Sequence, residues 1–357
     1  MADPIRITTA DLQRPEINDY VEMQSYLQRD AGEIGRQPWL IRVIYANWFY
    51  LSISAALGGF VAWAAFEPWY ENLGEDEVED GLALLDVFFF PAVTAGIGLF
   101  LGAAEGIMCR NLPRAALCGA VCLGLGFIGG IVAWYPSELV YGIMGEIAFS
   151  LSDETNEVGM PMGIGLLVLM MGRGAAWSIA SIPAGIGQGI ALHEKKVIIN
   201  GVVGAVLGGL VGGLLFDPIY LAFLTEDGNA NISRAVGFTV IGLFVGLFVG
   251  LVEGWTKTAW LLMRKGPLAG KQFIMFKDTT VLGSSPKADI YLFKDDAIEP
   301  RHALITNRGG RFEIEDCNTP DGTYVNGIPV TRTILRDGDK IVLGKTVLEF
   351  SVKESSA

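Results

Sequence analysis

Histidine and cysteine are scarce, with two and four copies in 357 residues. His193 and His302 are far apart, and neither has a nucleophile or metal partner in a recognisable motif. This argues against an enzyme and predicts no metal or cofactor site. The thiols Cys109, Cys118, Cys122 and Cys317 are too scattered for a disulfide framework and read as small apolar fillers. Charge is also low, 18% against about 25% for a typical soluble domain, and it leans acidic, with 26 Lys and Arg against 39 Asp and Glu, a net −13. The chain lacks the clustered bases that neutralise phosphates, which excludes nucleic acid as a partner.

The chain is instead rich in apolar residues (51%) and glycine (46 residues), with a mean hydropathy of +0.41. Those values point to lipid as part of its solvent. Residues 1–39 are polar and mixed in charge, without the basic start and apolar core of an export signal. Ile17, Tyr20, Val21, Met23 and Leu27 are spaced for one amphipathic helix there. Beyond Trp39 come six long apolar stretches, 43–66, 84–108, 115–134, 163–192, 198–224 and 236–262. Each suffices to cross a hydrocarbon core of about 30 Å. Apolar pieces within 137–151 and 160–172 are too short to span alone and read as interfacial or re-entrant, and no span shows a mid-membrane break.

The connecting segments alternate in charge. Glu67–Asp86, Tyr135–Met160 and Asp217–Ser233 together hold sixteen acids and no Lys or Arg, whereas Asn111–Arg114, His193–Lys196 and the exit of the last span are basic. By the positive-inside rule both termini are cytoplasmic, with a bacterial inner (plasma) membrane as the expected location. Arg173, near the outer start of the fourth span, reads as a snorkelling side chain.

The spans also repeat. GGFVAWAAFEP (58–68), GFIGGIVAWYP (126–136) and GGLVGGLLFDP (208–218) end the odd spans. Gly102-Ala-Ala-Glu105-Gly106, Gly185-Ile-Gly-Gln188-Gly189 and Gly250-Leu-Val-Glu253-Gly254 recur in the even ones. Three tandem helix hairpins would produce this pattern. Glycines every four residues (Gly98, Gly102, Gly106; Gly204, Gly208, Gly212; Gly242, Gly246, Gly250, Gly254) form smooth grooves of glycine-zipper type for close packing, within one chain or between copies in a homo-oligomer. Glu105, Gln188 and Glu253 hold equivalent repeat positions and form a candidate intramembrane polar layer, with interfacial pairing of each Glu to a nearby base as the plainer reading.

After Gly266-Pro267 short alternating strands and Gly, Asp and Asn turns take over, with twelve bases balancing twelve acids within 267–353. The segments Val281-Leu-Gly283, Ala288-Asp-Ile-Tyr-Leu292, Arg301-His302-Ala-Leu-Ile305, Asp316–Gly327 and Leu335–Gly344 resemble, in order, those of a forkhead-associated (FHA) domain. The resemblance implies an 11-stranded sandwich whose loops bind phosphothreonine peptides. In that family an Arg after the first Gly and a Ser three before the His hold the phosphate, and an Asn fixes the peptide backbone. This chain has Ser284, Glu299 and Asp321 at those positions. Carboxylates repel phosphate and the expected Arg is gone, so high-affinity binding by the family's usual mode is not expected, with Arg301, Lys287 and Thr319 as a partial substitute.

The ligand-loop candidates are Gly283, Ser284, Ser285, Glu299, Arg301, His302, Thr319, Asp321 and Asn326, with Lys287 available beside them. The reading is thus multidomain: an N-terminal segment (1–39), a six-helix Gly-rich bundle (40–265) and an FHA-like all-β sandwich (266–357). The expected function is a membrane adaptor or signalling scaffold docking a cytoplasmic protein, alone or in a larger membrane complex. The alternative is an ion or solute channel or transporter regulated or assembled through the FHA-like part.

Overall fold

The computed structural model describes residues 38–71, 78–223 and 231–353, and the chain divides into two compact units, Ala46–Thr256 and Lys257–Ala357, with the stretch up to Tyr45 grouped with the second. The amphipathic helix expected around 17–27 lies outside the described residues.

A one-and-a-half-turn helix, α1 (Trp39–Ile44), precedes the helical unit. That unit comprises α2 (Asn47–Glu71), α3 (Val78–Met108), α4 (Leu112–Ser150), α5 (Ile164–Ala180), α6 (Ile182–Leu192), α7 (Lys195–Phe223) and α8 (Asn231–Thr256). With α5 and α6 taken together, six of these helical stretches are long and apolar enough to cross a membrane. Tight turns join α3 to α4 and α6 to α7. Asn111 caps α4 by accepting the Arg114 N–H at 3.1 Å, and His193 closes α6 in the left-handed region (φ 58°).

The spans form a closed ring in which each helix packs on the next and α8 returns to α2. The four-residue glycines make that packing within the chain. Gly98 and Gly102 admit α4, Gly204, Gly208 and Gly212 admit α8, and Gly242, Gly246 and Gly250 admit α2. A Cβ at Gly246 would sit 2.6 Å from the Leu51 carbonyl carbon, so only hydrogen fits. Gly254 meets nothing within 4 Å.

Aromatic rings fill the centre. Phe90 meets Trp177 and Phe89 meets Phe238 in tilted pairs, both at 4.9 Å, and Phe216 closes on Phe238 at 5.5 Å. The first and third repeat motifs supply matching ties. Glu67 binds Arg234 of α8, and Asp217 binds Arg173 of α5 at 2.6 Å, so each carboxylate before the proline reaches an arginine of the hairpin that comes before it around the ring. Arg173, expected to snorkel as a lone base, has partners within the bundle. It is held by a buried carboxylate and by the Tyr141 hydroxyl, because an unpaired carboxylate at that depth would be costly.

Three further expectations change. The segment 137–150 is not a separate piece but continues α4 as a helix through Pro136, and the second short piece belongs to α5 from Ile164. The fourth span is broken at Ser181, where Pro183 has no N–H to continue the ladder and a new helix starts at Ile182. The last helix stops at Thr256, and residues 259–265, expected to close the bundle, form the first strand of the sandwich. The boundary thus falls after 256 instead of 265.

The sandwich contains β1 (Ala259–Lys265), β2 (Gln272–Ile274), β3 (Thr279–Gly283), β4 (Ile290–Tyr291), β5 (Ala303–Arg308), β6 (Arg311–Asp316), β7 (Thr323–Val325), β8 (Ile328–Val330), β9 (Arg332–Ile334), β10 (Lys340–Leu343) and β11 (Thr346–Val352). One sheet is ordered β2-β1-β11-β10-β7-β8 and the other β4-β3-β5-β6-β9, with only β3 and β4 parallel. Ala259, Leu261 and Met263 of β1 point inward opposite Val352, Phe350 and Leu348. The core then crosses to the second sheet, where Phe312 meets Phe350 at 5.3 Å. Arg264 grips Glu349 on the outer side at 2.7 and 3.0 Å.

Candidate functional site

The candidate loops follow β3, precede β5 and join β6 to β7. Gly283 lets the first two meet: a Cβ there would lie 2.7 Å from the Pro300 carbonyl carbon, so the β3 end presses directly on the Glu299–Pro300 backbone. The Ser284 N–H donates to the Glu299 carbonyl at 2.9 Å and the Ser285 N–H to the Pro300 carbonyl at 3.4 Å.

His302 ties in the third loop. Its ring is wholly buried. Nδ1 accepts the Glu299 N–H at 3.1 Å, which puts the proton on Nε2, 3.1 Å from the Gly322 carbonyl and 3.2 Å from the Thr319 hydroxyl. The Thr319 hydroxyl in turn donates to Asp316 at 2.8 Å. Asp316 also accepts the Thr319 N–H at 3.0 Å and the Thr323 hydroxyl at 2.7 Å. Partial burial pushes the Asp316 carboxyl up, but the bonds from Thr323 and Thr319 and the nearby His302 outweigh it and hold the group below its ordinary value. Burial pushes the neighbouring Cys317 thiol up against the pull of Arg301, so it stays protonated.

Ser284, Ser285, Glu299, Arg301, His302, Thr319 and Asp321 therefore share one set of clasped loops, with Glu299, Arg301 and Asp321 exposed at the rim. Asn326 stands apart in the β7–β8 turn (φ 52°), where its side chain bonds Asp339 at 2.8 Å and the Lys340 N–H at 2.9 Å. Asp316 is the clasp residue that motif spacing did not single out. Its signal is an Asp followed three residues later by Thr, the pattern of a side chain capping its own turn.

Residues 280–344 match the FHA domain family. The oxoglutarate dehydrogenase inhibitor of Corynebacterium jeikeium is 39% identical over 100 residues, 28% of this chain and 69% of that protein. The chain belongs to the FHA-domain family. The glycogen accumulation regulator GarA of Mycolicibacterium smegmatis is 39% identical over 93 residues, and the chain spans 58% of its length and 26% of its own. Among solved structures, the FhaA FHA domain complexed with the intracellular domain of Rv3910 is 27% identical, with a TM-score of 0.24 over 26% of this chain and 99% of that one.

The FHA loops here keep the family's frame and differ in what they present. Ser284 offers a hydroxyl where the family resemblance implies a guanidinium, and Glu299 and Asp321 are exposed carboxylates at the rim, with Arg301 and Lys287 exposed as well. An FHA domain is a protein-binding module, and a rim of mixed sign suits a peptide or protein surface.

In the helical unit, Glu105 and Glu253 converge on α2. Tyr50 donates to Glu105, and the Asn47 amide donates to Glu253 at 3.0 Å. The Cys109 thiol reaches Glu105 at 3.4 Å. Gln188 lies on α6, which packs on α3, α4 and α7. Among the described residues no group of three or more His, Cys, Asp or Glu is placed to hold a metal ion.

Proposed function

We propose that the chain is an integral membrane adaptor of the bacterial inner membrane. In this reading six spans hold the FHA domain on the cytoplasmic side, where loops 284–285, 299–301 and 317–321 dock a partner protein without requiring phosphothreonine. One observation carries the reading: the loops are fully clasped by His302 and Asp316, yet their rim replaces the expected phosphate grip with Ser284 and two exposed carboxylates. The names of the relatives, an inhibitor and a regulator, support control by binding rather than by catalysis.

The test is calorimetry of residues 257–353 with phosphothreonine peptides and their unphosphorylated twins. The two bind within about tenfold, or 1.4 kcal/mol, of each other. A larger preference for the phosphorylated form overturns the reading.

The second reading, a channel or transporter controlled through its FHA domain, gains from the break at Ser181, since interrupted spans mark substrate sites in transporters. It is opposed by the aromatic filling at the ring's centre, where Trp177 occupies the space beside that break.

A further inference from the structure

Helix α1 has the sequence Trp39-Leu-Ile-Arg-Val-Ile44, and none of its six residues is buried. Trp39 is 65% exposed, Leu40 53% and Ile44 47%. At 100° per residue, Trp39, Leu40, Val43 and Ile44 share an arc of about 140°, and the exposed Arg42 lies outside it. A soluble segment does not leave such a face open in water without a partner.

The chain itself limits what that partner is. Only Tyr45 and Ala46 separate α1 from Asn47, where the first span begins, and two residues reach at most about 7 Å. The headgroup layer of one leaflet, the difference between a bilayer of about 40–45 Å and a hydrocarbon core of about 30 Å, is about 5–7 Å deep. A helix on so short a leash starts in or beside that layer. The face it carries, a tryptophan and aliphatic side chains beside one base, is that of an interfacial helix.

We propose that α1 is a second membrane contact, distinct from the spans. It lies in the plane of the leaflet, with Trp39, Leu40 and Ile44 at the acyl boundary and Arg42 among the phosphates. Pro38, with ψ 137°, caps the helix on its N-terminal side.

This inference rests on the spanning role proposed above, and the test separates the two. The full chain carrying Cys317→Ser, to remove the half-exposed thiol, and Trp39→Cys is labelled with an environment-sensitive fluorophore. It is then reconstituted into phosphatidylethanolamine and phosphatidylglycerol vesicles. Leu40→Cys is a second labelling site should the first variant misfold, and Phe60→Cys, on the exposed side of α2, reports the span. Phospholipid brominated high on its acyl chains quenches the α1 label at least about twofold, and aqueous iodide quenches it little. Quenching by iodide alone places α1 in water and overturns the proposal. Quenching by neither means that protein, a second copy or another part of this chain, covers it, which overturns it equally. If the Phe60 label also escapes brominated lipid, the spanning role fails too; if it alone is quenched, only the inference about α1 fails.

Discussion

The two units keep their shape by opposite means. In the helical unit the backbone itself is brought close, glycine against glycine or carbonyl, with the few polar side chains serving as ties between hairpins. In the sandwich the backbones stay a side chain apart, inward residues interdigitate, and the loops are fixed by side chains that bond the backbone of their neighbours. With the spans placed in lipid, as proposed above, the solvent accounts for the difference. Where the solvent is as apolar as leucine, burial alone drives helices together little, so close approach, inward packing of the aromatic rings and internal hydrogen bonds hold the fold. In water, burying each Leu or Phe contributes about 1.5–3 kcal/mol, and bulk in the core is an advantage.

The contrast breaks most readily at the junction. A fragment of residues 257–353 melts cooperatively by circular dichroism, whereas one starting at 267 shows no transition, because it lacks β1, the strand between β2 and β11. A folded 267–353 fragment would show that β1 is dispensable and that the unit boundary is misplaced.

Adding bulk should be harmful in one unit at contact glycines only. Gly246→Val forces a side chain into the Leu51 backbone and destabilises the ring by about 3 kcal/mol or more, while Gly254→Val, facing open space, shifts the thermal midpoint in detergent little. Equal effects would mean that α8 does not pack on α2 as described.

In the sandwich the damaging change is loss of a polar clasp. His302→Ala leaves the Glu299 N–H and the Gly322 carbonyl without their side-chain partner and costs about 2–4 kcal/mol in urea unfolding of residues 257–353.

The smallest effect depends on pH. Because the Asp316 carboxyl is depressed in the folded state, its contribution is present in full above the unfolded value of about 3.9 and fades as pH falls through the lower folded value. Asp316→Asn therefore flattens the acid limb of the stability curve below about pH 4. An unchanged limb would remove Asp316 from the clasp.

Much of this was legible from sequence, for reasons that differ between the units. Six runs of about twenty apolar residues have one physical use, and ordered motifs around Gly283, His302 and Gly322 specify one sandwich. Strand β1 was hidden because Trp260-Leu-Leu-Met263 continues the apolar run of α8, and period 2 shows only once Ala259, Leu261 and Met263 are seen to be buried. The ties Glu67–Arg234 and Arg173–Asp217 join residues that no local pattern connects, so Arg173 read as a lone base. At the site, the replacements at Ser284, Glu299 and Asp321 were visible by position, but the role of Asp316 depends on a loop conformation that spacing does not encode.

The closure of the ring also sets a timetable. The bond from Glu67 to Arg234 spans 167 residues of chain. At a synthesis rate of about 5–20 residues per second, the first helix waits on the order of ten to thirty seconds for its last neighbour. Throughout that interval the Glu67 carboxylate lacks the arginine that will cover it, and the groove beside Leu51 and Ala55 is unfilled. Whatever tends nascent membrane chains has its longest opportunity here, before the FHA domain has begun to emerge.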